Sequence, residues 1–131
     1  MMPPPTEVTA VRVLIVDDSS DMRELYKHAF AREGFVVVGT AGDGDEAIAA
    51  VADLAPDVVV MDVMMPRIDG IAATRQIRAA HPRTQVVALT AFHSPQVVAE
   101  LFAAGATECV LKGGALSEIA AAIRAAAGVR E

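Results

Sequence analysis

The chain is predicted to be an α/β domain, a parallel sheet with helices on both faces. Three observations predict it. Five short apolar runs rich in Val and Ile alternate with amphipathic, alanine-rich stretches, the pattern of a sheet built from strand–helix units. The runs lack strict polar alternation, as strands buried on both faces do. The chemically loaded residues fall where these runs end, and open α/β sheets place their ligands at the carboxyl edge. A length of 131 residues suits one domain.

The elements follow in order. Residues 11–16 read as the first strand. Residues 21–32 read as a helix, with Asp21 and Glu24 at capping-box spacing and Gly34 as C-cap. Residues 35–39 are the second strand. Asp43-Gly44-Asp45-Glu46 repeats the capping-box spacing and starts a helix that runs to about Leu54, ahead of Pro56. Residues 57–61 are the third strand. Asp69-Gly70 opens a helix that ends near Ala80, before His81-Pro82. Residues 85–89 are the fourth strand. Ser94-Pro95 reads as an N-cap followed by Pro at the first helical position, and that helix stops at Gly105. Residues 107–111 are the fifth strand, and the last helix covers 116–127, up to Gly128. The domain is expected over 10–128, with 1–9 a disordered lead-in. The chain ends directly after the fifth helix, so an output module is expected on another polypeptide or outside this chain.

Composition narrows the function. Hydrophobic residues make up 53% of the chain, enough for a sizeable core. The first residues have no basic segment and no apolar stretch of signal-peptide type, and no run reaches membrane-spanning length. Cys109 is the single cysteine, which excludes an internal disulfide and a cysteine zinc cluster and suits a reducing, cytoplasmic setting. The net charge of −6, with Lys and Arg scattered, argues against direct nucleic-acid binding.

The candidate site consists of strand-end residues. Asp17 and Asp18 follow the first strand, Asp62 closes the third, Thr90 the fourth and Lys112 the fifth. In one parallel sheet the three acids meet at the carboxyl edge. Two unit charges about 4 Å apart repel by roughly 4 kcal/mol at an effective dielectric near 20, so the cluster needs a cation or a shared proton. Oxygen ligands suit magnesium. Metal and Lys112 would neutralise phosphoryl oxygens, the Thr90 hydroxyl would donate to them, and Asp62 is placed to be a nucleophile that accepts phosphate.

The segments Ile15-Val16-Asp17-Asp18, Asp62-Val63-Met64-Met65-Pro66-Arg67-Ile68-Asp69-Gly70, Leu89-Thr90-Ala91 and Leu111-Lys112 resemble, in this order, the receiver domain of bacterial two-component response regulators. The resemblance covers about residues 11–127. It implies a flavodoxin-like (βα)5 three-layer sandwich with strand order 2-1-3-4-5, for which the chemotaxis receiver is a standing example. It implies that Asp62 is the phosphoacceptor, that Asp17, Asp18, Asp62 and the backbone carbonyl of Met64 bind Mg2+, that Lys112 pairs with the phosphoryl oxygens, and that Thr90 is the switch residue. The donor is then a phosphohistidine on a sensor histidine kinase or phosphotransfer protein. The output is a changed affinity for a downstream protein partner, or a dimer, through the fourth helix, fifth strand and last helix. Such a domain catalyses only its own phosphorylation and dephosphorylation.

Two positions depart from the family pattern. Gly113 follows Lys112 where many receivers have Pro, and Cys109 stands where an aromatic residue is usual, so the switch is expected to work mainly through Thr90 and movement of the fourth strand and helix. Apolar Met64 and Phe92, two residues after Asp62 and Thr90, predict poor orientation of an attacking water and a long-lived acyl phosphate. Competing readings are a Mg2+-dependent small-molecule phosphatase using Asp62 and a phosphorylation-independent interaction module. Asp43, Asp45, Glu46, Asp57 and Asp69 read as caps or structural charges. His28, His81 and His93 read as ordinary histidines, and Cys109 as a small strand residue whose thiol only Lys112 could activate. Val97, Val98, Leu101 and Phe102 widen the apolar stripe of the fourth helix beyond a single core face.

Overall fold

The structure, a computed structural model, describes residues 10–63, 69–91 and 94–128. The lead-in 1–9, the Met64 carbonyl, Phe92 and His93 lie outside the described residues. In chain order the elements are β1 (Arg12–Val16), α1 (Ser20–Arg32), β2 (Val36–Ala41), α2 (Gly44–Leu54), β3 (Val58–Asp62), α3 (Gly70–Ala80), β4 (Gln85–Thr90), α4 (Pro95–Ala104), β5 (Glu108–Leu111) and α5 (Leu116–Ala127). The strands form one sheet in the order β2-β1-β3-β4-β5, and every pair is parallel.

The pleat sorts the apolar runs onto two faces. Val13, Ile15, Val58, Val60, Val87 and Leu89 pack with Tyr26 and Phe30 of α1 and Ile119 and Ile123 of α5. Leu14, Val16, Val59, Met61 and Val86 pack with Ala47 and Val51 of α2 and Ala73 and Ile77 of α3. A smaller cluster of Val63, Ala88, Leu101 and Ala106 seats α4 beside β5. Successive residues of one strand serve opposite faces, which is why β1 and β3 read as unbroken apolar runs. Truncating one of these fully buried aliphatic side chains to Ala costs about 2–5 kcal/mol.

Several element ends differ from the sequence expectation. Ser19, not Asp21, caps α1, because Ser19 has extended backbone and its Oγ accepts from the Met22 N–H at 3.2 Å. Asp21 then falls in the first helical turn, where a carboxylate favours the helix dipole. The C-cap of α1 is Glu33, and Gly34 follows it. β2 begins at Val36, since the Phe35 N–H donates back to the Phe30 carbonyl at the end of α1 while the Val36 N–H joins the sheet at the Val11 carbonyl; the Phe35 ring packs edge-on against Phe30 in the core. β3 and β4 each run one residue further than expected and so take in Asp62 and Thr90. The caps Asp43, Asp69 and Ser94 stand as expected, each accepting from the backbone N–H three residues on. Asp57 is structural: its Oδ2 accepts from the Arg12 N–H at 2.9 Å, while the Arg12 guanidinium donates to the Leu54 and Ala55 carbonyls at the end of α2.

Candidate functional site

Strand register brings the loaded residues together. Val16 pairs with Ala41 on one side and Met61 on the other, Asp62 with Leu89, and Thr90 with Leu111. The carboxyl ends of β1, β3, β4 and β5 are therefore level. The Lys112 N–H extends the ladder by donating to the Thr90 carbonyl at 2.8 Å, and Val63 N–H donates to the Leu89 carbonyl at 3.0 Å.

Asp17, Asp62 and Thr90 are buried, and Asp18 is exposed. The Lys112 ammonium lies 2.9 Å from Asp62 Oδ2, to which it donates, and 2.9 Å from Asp17 Oδ2. Among the described residues, the Lys112 ammonium at 2.9 Å is the group that faces buried Asp17 Oδ2. The other oxygen, Asp17 Oδ1, accepts from the Ser19 N–H at 2.9 Å. Burial pulls the Lys112 pKa down and is the largest single influence. The hydrogen bonds and attraction of Asp62 and Asp17 together outweigh it, and the net direction is upward. Tyr26, in α1, is also shifted upward, first by burial, with the Lys112 charge opposing and the Asp17 and Asp62 charges adding.

The cluster fits a hard divalent cation. One carboxylate oxygen each from Asp17, Asp18 and Asp62 lies within 4.8 Å of the others. Asp17 Oδ2 is buried with the Lys112 ammonium beside it, and Asp18 opens the cluster to solvent. Oxygen-only donors with one open side suit an ion that keeps some of its waters.

Four residues shape the site beyond those the strand ends pointed to. Ser19 fixes Asp17 Oδ1, and the Arg23 guanidinium donates to the Asp17 carbonyl at 2.7 Å. Tyr26, stacked on Phe30 in the core with ring centroids 5.5 Å apart, is near enough to feel the charges of Lys112, Asp17 and Asp62. Gly70 lets α3 approach the end of β3, since a Cβ there would lie 2.7 Å from Val63 Cα and 2.8 Å from the Asp62 carbonyl oxygen. Only Gly70 left a sequence signal, in the Asp-Gly pair.

The remaining candidates separate from the site. His28 is exposed, 3.9 Å from Glu24, and His81 is the C-cap of α3. Cys109 packs in the α4 cluster; burial and then the Glu108 charge push its thiol up, so the suggested activation by Lys112 does not operate. Gly113 has φ +89, a region closed to proline.

Comparison with known proteins decides the family. The sequence profile of the response regulator receiver domain matches residues 13–124. The chain belongs to this family. A transcriptional regulatory protein of Bacillus subtilis, YxjL, is 42% identical over 118 residues, 89% of this chain and 54% of the relative. The chemotaxis protein CheY of Thermotoga maritima is 37% identical over 101 residues, 77% of this receiver and 84% of that protein. A chain in the CheX–CheY–BeF3–Mg2+ complex from Borrelia burgdorferi superposes with a TM-score of 0.83 at 28% identity, covering 88% of this receiver and 87% of that chain. The receiver thus spans about half of the first relative and most of the second. Like its family it is a phosphorylation-controlled domain. No helix among the described residues is long and apolar enough to cross a membrane.

Proposed function

We propose that Asp62 accepts the phosphoryl group, from a phosphohistidine on a sensor histidine kinase or a phosphotransfer protein, and that the receiver then changes its affinity for a downstream protein. The observation that carries this reading is one ammonium, that of Lys112, held 2.9 Å from two buried carboxylates at the sheet's carboxyl edge. An Asp62 oxygen attacks phosphorus as the bond to the donor nitrogen breaks, and the imidazole keeps that electron pair. Lys112, already at Asp62 Oδ2, follows the new anionic oxygens, and Thr90 supplies a hydroxyl at the end of the neighbouring strand. Asp17, Asp18 and Asp62, with the Met64 carbonyl, would hold Mg2+. Bound there, the ion neutralises charge on the transferring group. Water later cleaves the acyl phosphate and resets the domain, so the receiver turns over only itself. The Mg2+ of the Borrelia CheX–CheY–BeF3–Mg2+ complex supports the choice of metal.

The output surface in this reading is the face of α4, β5 and α5. Phe102 and Leu111 are exposed there, although Leu101 of the same helix turns into the core. A net charge of −6 favours a protein partner over nucleic acid, and the single free cysteine suits the cytoplasm. No observation favours the phosphatase or the phosphorylation-independent module. The test is intact-mass spectrometry after incubation with Mg2+ and acetyl phosphate. One added phosphoryl group is expected in the wild type and none in Asp62→Ala, whereas steady turnover of a free phosphoester would support the phosphatase instead.

A further inference from the structure

The structure assigns Arg23 a task in this receiver: it is the positioning residue that aims the acidic pair at the metal. The inference rests on the reading of Asp17, Asp18 and Asp62 as metal ligands. Besides its ion pair to Lys112, Asp17 is held by three hydrogen bonds. Its N–H donates to the Ala41 carbonyl at 3.0 Å, its Oδ1 accepts from the Ser19 N–H at 2.9 Å, and its carbonyl accepts from Arg23 Nη1 at 2.7 Å. The first two fix the residue and its side chain. The third fixes the peptide plane that joins Asp17 to Asp18, because that carbonyl belongs to it and the plane is rigid. Asp18 is exposed, so this peptide is what sets its direction toward the cluster.

Arg23 is itself anchored. Its backbone N–H donates to the Ser19 carbonyl at 3.0 Å, in the first turn of α1. Its guanidinium also reaches the loop between β2 and α2: a Cβ on Gly42 would lie 3.4 Å from Arg23 Nη1 and 3.3 Å from Glu46 Oε2. One side chain thus joins the metal loop to α1 and borders the neighbouring loop. Groups that orient a metal's ligands shift affinity by about 10–100-fold when removed.

The charge and the hydrogen bond of Arg23 act in opposite directions on a cation. A positive charge beside the site repels Mg2+, so if charge were its only effect, Arg23→Ala would tighten binding. If Arg23 acts by positioning, Arg23→Ala weakens it.

Titration calorimetry with MgCl2 on the full chain, alongside thermal denaturation, measures the sign. The expected result is a dissociation constant raised about 10-fold in Arg23→Ala, with part of the affinity restored in Arg23→Lys, whose ammonium can still donate to the Asp17 carbonyl. Unchanged or tighter Mg2+ binding in Arg23→Ala would overturn the inference, including when its melting temperature falls. Should that variant fail to fold, Arg23→Met, which keeps side-chain bulk but has neither charge nor donor, carries the same test with the same two outcomes. A wild-type chain that binds no Mg2+ would instead remove the metal reading itself.

Discussion

Replacing Lys112 with Met removes one ammonium from between two buried carboxylates while keeping most of the side-chain volume. Each 2.9 Å contact is worth roughly 6 kcal/mol of gross attraction at an effective dielectric near 20, most of it offset by desolvation. Removing one partner of a buried ion pair typically costs about 3–5 kcal/mol. The Lys112 side chain is 23% exposed, which favours the lower end, about 3 kcal/mol. A second bound applies. A carboxylate can relieve the repulsion by taking up a proton, which for an ordinary aspartate costs about 4 kcal/mol at pH 7 but only about 1.5 kcal/mol at pH 5. The loss should therefore shrink to about half or less at pH 5. Mg2+ at saturation should return more stability to the variant than to the wild type, by supplying the missing positive charge. Urea denaturation with EDTA or Mg2+ at the two pH values measures all of this. A loss below about 0.5 kcal/mol at pH 7, or one that does not fall toward pH 5, would refute the role of Lys112 as the counter-ion of both acids.

Four further predictions concern the backbone, the thiol and alkaline pH. Gly70→Ala drives a Cβ against the Val63 and Asp62 backbone, so thermal denaturation should show a loss of about 2–3 kcal/mol, and phosphorylation should slow as the end of β3 shifts. Gly113→Pro forces φ from +89° to about −65°, and urea denaturation should show it destabilised by about 1–3 kcal/mol, more than Gly113→Ala. Cys109, its thiol pushed up by burial, should be alkylated more slowly at pH 8 than in the urea-unfolded chain. An acid whose folded pKa lies above its unfolded value loses folded stability as pH rises past the unfolded value, near 8.5 for cysteine. Lys112 acts in the same direction: its contribution is full below about pH 10.5 and is lost as pH climbs through the raised folded value. Melting temperature should accordingly decline at alkaline pH, and a flat profile from pH 8 to 11 would contradict both shifts.

The order of strands and helices, the caps at Asp43, Asp69 and Ser94, and the convergence of Asp17, Asp62, Thr90 and Lys112 were legible in the sequence, because periodicity and capping chemistry are local rules and parallel topology brings strand ends to one edge, whereas strand ends were placed only to within a residue or two. Arg23 and Ser19 were not. Their roles depend on which carbonyl or carboxylate a helix start happens to face, and an Arg in a helix carries no such label. Tyr26 reads as an ordinary core aromatic, and only the assembled fold brings it within reach of the site's charges. The cap of α1 was misplaced because Asp21 and Glu24 match the capping-box spacing, whereas Ser19, whose hydroxyl caps the helix, has Met22 three residues on and leaves no such signal. Gly113 was visible as a departure, but its positive φ needed the backbone.

The claim at the centre is that Asp62, among three clustered acids, is the one that carries phosphate. Borohydride reduction after phosphorylation converts an aspartyl phosphate to homoserine, which peptide sequencing by mass spectrometry locates. Homoserine at position 62 alone, dependent on Mg2+, is the predicted result; homoserine at position 17 or 18, or label retained on a histidine, would contradict it.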